Sequence, residues 1–334
     1  MSAISAPRSI LVLQLRRIGD VILTTPAVAA LKKRFPEAAI DFLVEKPGAE
    51  VLAGNPHIRK IQVYEAINWR QALSEMSRVR RARYDWVIDF MGNPRTALLT
   101  FLSGAGVKAG PAHVFHRWAY NTALRQSQKA CYGGLEKIKV LASLGISSEN
   151  AHFLPALYLA VKPKAGDNVI GFAPASRRIT RQWPAASYIQ LGKMLRKQYG
   201  CEIKIFWGPG EKNLAQDIAM GIGQGARITA ETQTLGQAAG LMARCKLLIT
   251  NCNGPKHIAV ALGVPTITIH GSSDPVSFNP PHPRHLVVRL DDLFCIGCGL
   301  NRCPYKLECM TQLSPQRVLE SAQKLLHKAA ATPQ

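Results

Sequence analysis

Residues Ser9–Phe35 read SILVLQLRRIGDVILTTPAVAALKKRF, and the fold class turns on how this stretch is read. Ile10 to Leu15 is an apolar strand. It runs into Arg16-Arg17, then Gly19-Asp20, then a helix with Val21, Val28, Leu31 and Phe35 along one side. A strand feeding a helix through a glycine turn opens a doubly wound α/β domain, and ligands in such domains bind beyond the carboxyl ends of the strands. Asp20, Arg16 and Arg17 are therefore placed where chemistry is expected.

Asp20 has two readings. As a helix N-cap, its carboxylate accepts first-turn backbone N–H groups. As a general base, it points into a site and takes a proton from a hydroxyl. Thr25-Pro26 is itself a good helix start, with Thr as cap and Pro at the first helical position. A helix beginning there does not need Asp20 as its cap, whereas one beginning at Val21 should be kinked by Pro26. Spacing alone leaves both readings open.

Outward from this unit the alternation continues. Strands are expected at Ala39–Val44, Ile58–Tyr64, Tyr84–Phe90 and within Gly104–Pro111, with helices at Ala49–Ala53, Trp69–Arg81, after Gly92-Asn93-Pro94-Arg95, and at Leu135–Leu144 up to Gly145. Residues 155–168 (PALYLAVKPKAGDN) lack helical period and read as a linker. The pattern then restarts, with strands at Val169–Ala173, Glu202–Trp207, Arg227-Ile228, Lys246–Thr250 and, as the last, Pro265–His270. Helices follow Trp183-Pro184, Gly208-Pro209-Gly210-Glu211, Leu235 and Asn253-Gly254-Pro255, and a final one opens at Ser314-Pro315. Strands alternating with helices predict parallel sheets. The chain thus reads as α/β, with two doubly wound, Rossmann-like domains in tandem, 1–160 and 161–334. A cleft between two such domains suits a pair of substrates. There is no G-x-G-x-x-G with a downstream acid and no G-x-x-x-x-G-K-[ST], which disfavours a nicotinamide dehydrogenase and a P-loop ATPase.

The 334 residues are 47% hydrophobic and 19% charged, as in a globular protein. No apolar run reaches the ~20 residues of a membrane span, and no signal-peptide pattern follows the first apolar run, so a cytoplasmic protein is expected. The net charge is +21. The excess is spread evenly, 21 Lys/Arg against 11 Asp/Glu in 1–160 and 21 against 10 in 161–334. Such a field attracts phosphates of nucleotides, nucleic acid or anionic lipid alike. Aromatic residues are only 7% and do not interleave with the basic runs, which argues against a nucleic-acid-binding protein.

Phosphate-binding equipment gathers in the second half. Loop 176–181 (SRRITR) joins a strand to a helix and offers the Ser176 hydroxyl, the Arg177, Arg178 and Arg181 guanidiniums and backbone amides. Guanidiniums grip phosphate oxygens in pairs, and a helix N-terminus adds a favourable dipole. Asn253-Gly254-Pro255-Lys256-His257 is a second glycine turn into a helix, suited to a pyrophosphate, and Glu211 is placed to accept from ribose hydroxyls. In the first half, Asn93, His113 and Arg117 lie in loops at strand ends. Near the end of the chain stand Cys295-x2-Cys298-x4-Cys303-x5-Cys309. These thiols read either as a tetrahedral zinc site, with an iron–sulfur cluster also fitting, or as loosely paired thiols under a loop.

Several stretches together resemble glycosyltransferase family 9, the ADP-heptose:lipopolysaccharide heptosyltransferases. They are LRRIGDVILTTPAVAALKKRFP, YDWVIDF, SRRITRQWP, FWGPGE, ITNCNGPKHIAVALGVPTITIHGSSDP and the tail CMTQLSPQRV. The resemblance implies a GT-B fold, with ADP-heptose bound mainly by the C-terminal domain and an anionic lipopolysaccharide inner-core acceptor by the N-terminal one. It places the catalytic base at Asp20, a basic residue on the donor phosphates at Arg181 with Ser176 and Arg177 beside it, the ribose contact at Glu211, and the nucleotide-sugar loop at Asn253, Gly254 and His257. Arg16, Arg17, Asn93, His113 and Arg117 are expected on the acceptor side. A single displacement that inverts the anomeric centre follows, with no catalytic metal and peripheral contact with the anionic inner membrane. This chain departs from the family pattern at Cys252, where an Asp is usual, and at Lys256, where an apolar residue is common. A carboxylate is lost from the donor loop and a cation gained, which leaves open an altered donor or a relative that binds nucleotide sugar with little turnover.

Overall fold

The computed structural model describes residues 5–159 and 168–331. The chain divides into two compact units, Met1–Tyr158 and Leu159–Gln334. Most of the expected linker, 160–167, lies outside the described residues.

Unit 1 contains β1 (Ser9–Leu13), α1 (Ile18–Arg34), β2 (Ala39–Val44), α2 (Lys46–Leu52), β3 (Lys60–Val63), α3 (Trp69–Arg81), β4 (Trp86–Asp89), α4 (Pro94–Leu102), β5 (Val107–Pro111), β6 (Thr122–Leu124) and α5 (Gly133–Lys139). Its six strands are ordered β3-β2-β1-β4-β5-β6, and all its pairings are parallel. Unit 2 contains β7 (Val169–Ala173), α6 (Ala185–Tyr199), β8 (Glu202–Ile205), α7 (Lys212–Ile222), β9 (Ala226–Ile228), α8 (Leu235–Met242), β10 (Leu247–Asn251), α9 (Gly254–Ala261), β11 (Thr266–Ile269), α10 (Pro275–Phe278), β12 (His285–Val288), α11 (Glu308–Thr311) and α12 (Pro315–Ala331). Its sheet, β12-β11-β10-β7-β8-β9, is again parallel throughout. Each sheet has the doubly wound order, with a switch point beside its first strand: between β1 and β4 in unit 1, and between β7 and β10 in unit 2. Central strands buried on both faces read as continuous apolar runs: Ile10 to Leu13 and Leu247 to Ile249 are all fully buried.

The sequence reading missed two strands, β6 and β12, and so took Pro265–His270 as the last. Both lie at sheet edges. β6 is three residues long and β12 follows the proline-rich run 280–283, so neither carries a period that reads without its partner strand.

Helix α1 begins earlier than either reading of Asp20 supposed. Its N-cap is Arg17, at φ 62°, and Pro26 lies inside the helix. Proline leaves the carbonyl four residues back without its usual partner. Here the Thr25 hydroxyl donates to that carbonyl, Ile22 O, at 2.8 Å. The chain therefore passes through Pro26 as helix and keeps Asp20 in the first turn.

Candidate functional site

In unit 1 the candidate residues collect beyond the carboxyl ends of β1, β4 and β5. Asp20 is not a cap: the helix starts two residues before it, and its backbone carbonyl, not its carboxylate, takes the Thr24 hydroxyl at 2.8 Å. The side chain is half-buried. Burial raises its pKa above the usual carboxylate range, and the positive charges of Lys137 and Arg17 oppose that rise.

Lys137 is the residue that sequence reasoning missed. It sits on α5, which packs on α1; a Cβ on Gly134 would meet Pro26 Cγ at 3.5 Å. Its ammonium donates to Gln14 Oε1 at 3.0 Å and to Phe90 O at 2.9 Å, bridging the ends of β1 and β4. Burial pulls its pKa down to about 8, while Asp20, Asp89 and Glu136 hold it up. A single Lys in a helical stretch normally means a solvated face, so the sequence carried little signal; the polar Gln14 ending an apolar strand was the one hint. Asp89, fully buried, accepts from the amides of Met91 and Gly92 at 2.9 Å each and from the Tyr120 hydroxyl at 2.8 Å. Gly92, at φ +64°, makes this turn; a Cβ there would meet Pro111 Cγ at 2.6 Å.

The expected acceptor residues have varied roles in the structure. Asn93 is the N-cap of α4, in a capping box with Thr96: its Oδ1 accepts from Thr96 N at 2.8 Å. Its Oδ1 is thus engaged in holding the start of α4. Arg16 pairs with Glu45 at 2.7 Å. Arg17, His113 and Arg117 are exposed.

A prediction follows for Lys137. Lys137→Met removes the largest opposing charge from Asp20, so the Asp20 pKa rises further. The acid limb of the kcat/KM profile should then move to higher pH, and Lys137→Arg should restore part of the shift. An unchanged acid limb in Lys137→Met would separate the two residues.

In unit 2 the basic loop ends in a 3-10 turn, Ile179–Arg181. Ser176 Oγ accepts from Arg178 N at 3.3 Å, Arg177 is exposed, and the Arg181 guanidinium lies 5.6 Å over the Phe278 ring. Thr180 anchors the turn from beneath. It is 2% exposed and donates to Leu300 O at 2.9 Å, while the Ser272 hydroxyl donates to it at 3.0 Å. Asn253 caps α9 through Lys256 N at 3.2 Å, and its amide donates to Ala175 O at 2.8 Å. Like Asn93, it is engaged with backbone; it ties the end of β10 to the start of the basic loop. A Cβ on Gly254 would meet nothing within 4 Å, so the approach to this helix start is open. Glu211 Oε2 accepts from Gly208 N at 2.9 Å, closing its own turn.

Cys252, Lys256 and His257 are less accessible than their motif suggests. Cys252 and His257 are 6% exposed and Lys256 is 0% exposed. The Lys256 ammonium donates to Phe278 O and lies 5.9 Å over its ring. Burial lowers its pKa to about 8. Burial and the Lys256 charge hold His257 well below the usual histidine range. Lys256 and His257 are thus buried at the start of α9.

Cys295, Cys298 and Cys303 lie in the loop before α11 and Cys309 on α11 itself, and the other three sulfurs reinforce the upward shift that burial gives the Cys309 thiol, to about 11. Among the described residues, no group of three or more His, Cys, Asp or Glu is arranged to hold a metal ion. What the loop visibly does is brace the site. Gly297 N donates to Gly271 O at 3.0 Å and Gly299 N to Ser272 O at 2.6 Å, and the carbonyl of Leu300 holds Thr180.

The sequence model of glycosyltransferase family 9 (heptosyltransferase) matches residues 73–308. The chain belongs to glycosyltransferase family 9. Among curated relatives, lipopolysaccharide heptosyltransferase 1 of Pseudomonas aeruginosa is 26% identical, with 95% of this chain and 98% of that protein covered. Lipopolysaccharide heptosyltransferase 3 of Escherichia coli is 27% identical, covering 78% and 83%. Among solved structures, the family 9 glycosyl transferase of Veillonella parvula superposes with a TM-score of 0.84 at 24% identity, covering 96% of this chain and 97% of that one. The E. coli heptosyltransferase WaaC with ADP-2-deoxy-2-fluoro heptose gives 0.76 at 23%, covering 95% and 99%. The fold of this family 9 glycosyltransferase is GT-B, built from two Rossmann-like units.

Proposed function

We propose that this family 9 glycosyltransferase moves a heptose from ADP-heptose to an anionic inner-core acceptor of lipopolysaccharide, inverting the anomeric centre. Asp20 is the general base that takes the proton of the acceptor hydroxyl. Arg181, with the Ser176 hydroxyl and the amides at the Gly254 helix start, stabilises the negative charge developing on the departing diphosphate. Unit 2 supplies the donor contacts, with Glu211 on the ribose and Arg177 at the entrance. Unit 1 supplies the acceptor contacts through Arg16, Arg17, His113 and Arg117. Asn93 and Asn253 shape their loops, and Lys256 and Cys252 act from behind the donor loop.

The observation that carries this reading is the state of Asp20. It is a half-buried carboxylate beyond the end of β1, not used as a cap, with a raised pKa and a lysine nearby. That is the description of a base tuned toward its working pH. No described helix is long and apolar enough to cross a membrane. In this reading the chain meets the anionic membrane surface by peripheral contact.

Thermal unfolding with ADP, UDP, GDP and ADP-heptose tests the donor half. A nucleotide at ~100 times its dissociation constant should add roughly 2.7 kcal/mol. The adenine ligands should stabilise and the other two should not. No response to any of the four would overturn the donor assignment.

A further inference from the structure

The rim of unit 1 beyond β5 carries a surface that, apart from Arg117, the proposed transfer chemistry does not use. Between Phe90 and Leu135 the sequence contains no Asp and no Glu, while Arg95, Lys108, Arg117, Arg125 and Lys129 supply positive charge. The same segment exposes large aromatic side chains: Phe115 is 98% exposed, Trp118 60% and Phe101 44%. They are grouped. Trp118 meets Phe101 edge to face at 5.2 Å, and the Lys108 ammonium lies 5.6 Å over the Phe101 ring. Phe115, Arg117, Trp118 and Arg125 line one open hollow of about 550 Å³.

The base beneath is firmly built. His116 Nε2 bonds Gly92 O at 2.7 Å, Asn121 Oδ1 accepts from Lys108 N at 2.8 Å and its amide donates to Gly106 O at 2.7 Å. The aromatic tips therefore project from an ordered turn. Scattered exposed apolar residues need no explanation, but a cluster of large ones rimmed by one sign of charge marks an interaction surface. Aromatic rings favour the boundary between water and acyl chains, and Lys and Arg beside them are drawn to anionic headgroups. A protein partner of ordinary composition would not require a rim free of acids; an anionic bilayer does.

We propose that the Phe101–Phe115–Trp118 cluster, with Lys108 and Arg125 around it, is the surface by which this protein docks on an anionic lipid membrane. Phe115 and Trp118 enter the headgroup boundary, and the basic side chains meet lipid phosphates. The proposal deepens the reading above, because it rests on an acceptor that is carried in a lipid layer.

The test is co-sedimentation of the full chain with phosphatidylglycerol/phosphatidylcholine vesicles and with phosphatidylcholine alone. Binding is expected only to the anionic vesicles, and 0.5 M salt should weaken it. The Phe115→Ser/Trp118→Ala pair should lower vesicle affinity roughly tenfold or more, and Lys108→Glu with Arg125→Glu should do the same by charge. Transfer to a soluble, delipidated acceptor fragment should be unchanged in both variants, while transfer to vesicle-borne acceptor falls. That arm also reports whether the variants fold. Equal binding to neutral vesicles, or unaltered binding by both variants, would overturn the docking surface. Loss of transfer to the soluble fragment would instead assign these residues to the acceptor site and overturn the proposal. Vesicle binding is read without donor or acceptor, so failure of the transfer reading itself leaves a different signature: docking without transfer.

Discussion

Asp20→Asn is expected to lower sugar transfer by roughly 10²- to 10⁴-fold, the usual contribution of a positioned general base, while ADP-heptose still binds. The amide keeps the size of the side chain but cannot accept the acceptor's proton. The change should be quiet structurally, because the α1 start does not depend on this carboxylate: the Arg17 cap makes no side-chain bond, and the Thr24 hydroxyl bonds the Asp20 carbonyl, which Asn also has. Losing the raised-pKa group should remove the acid limb of the pH profile altogether, whereas Lys137→Met only moves it. Measured transfer within tenfold of the parent, with donor binding intact, would take the base role from Asp20.

The second large effect concerns stability. Trp183 follows directly on the basic loop and is 1% exposed. Its indole N–H donates to Leu313 O at 3.0 Å, its ring meets Tyr188 at 4.9 Å, and its backbone N–H donates to Asn251 Oδ1 at 3.2 Å. Trp183→Ala leaves a cavity and strips Leu313 O of its partner. The expected loss is roughly 3–5 kcal/mol, read by denaturant unfolding of the unit 2 transition. Because the same residue anchors the segment that carries Arg181, ADP affinity should fall as well. Trp183→Phe, which keeps most of the packing but not the N–H donor, should lie between. A loss below about 1 kcal/mol for the alanine variant would mean that the loop is held by the Thr180 contacts alone.

Much of this architecture was legible from residues. The expected ranges of β2, α3 and β7 coincide with those in the structure, since each is an uninterrupted apolar run or a helical period bounded by turn residues. Thr25-Pro26 reads as a helix start, yet Pro26 lies inside α1, where the Thr25 hydroxyl bonds Ile22 O. The site was only partly legible. Asn93, Asn253, Lys256 and His257 occupy motif positions that point to a ligand, yet the first two cap helices and the last two are buried.

The sequence by itself determined the two alternating α/β halves, with the Gly19-Asp20 turn and the basic loop beyond strand ends. Those features follow from local periodicity and turn chemistry, which act over a few residues, whereas membership of family 9 was carried by the likeness of whole motifs. Only the tertiary structure decided which side chains are spent on backbone and which are left for chemistry. Lys137 reaches Gln14 from 123 positions away, and Thr180 reaches the Leu300 carbonyl from 120. Partners so far apart meet only when the sheet is assembled, and it is the burial created by that assembly that moves the pKa of Asp20 up and those of Lys137 and Lys256 down.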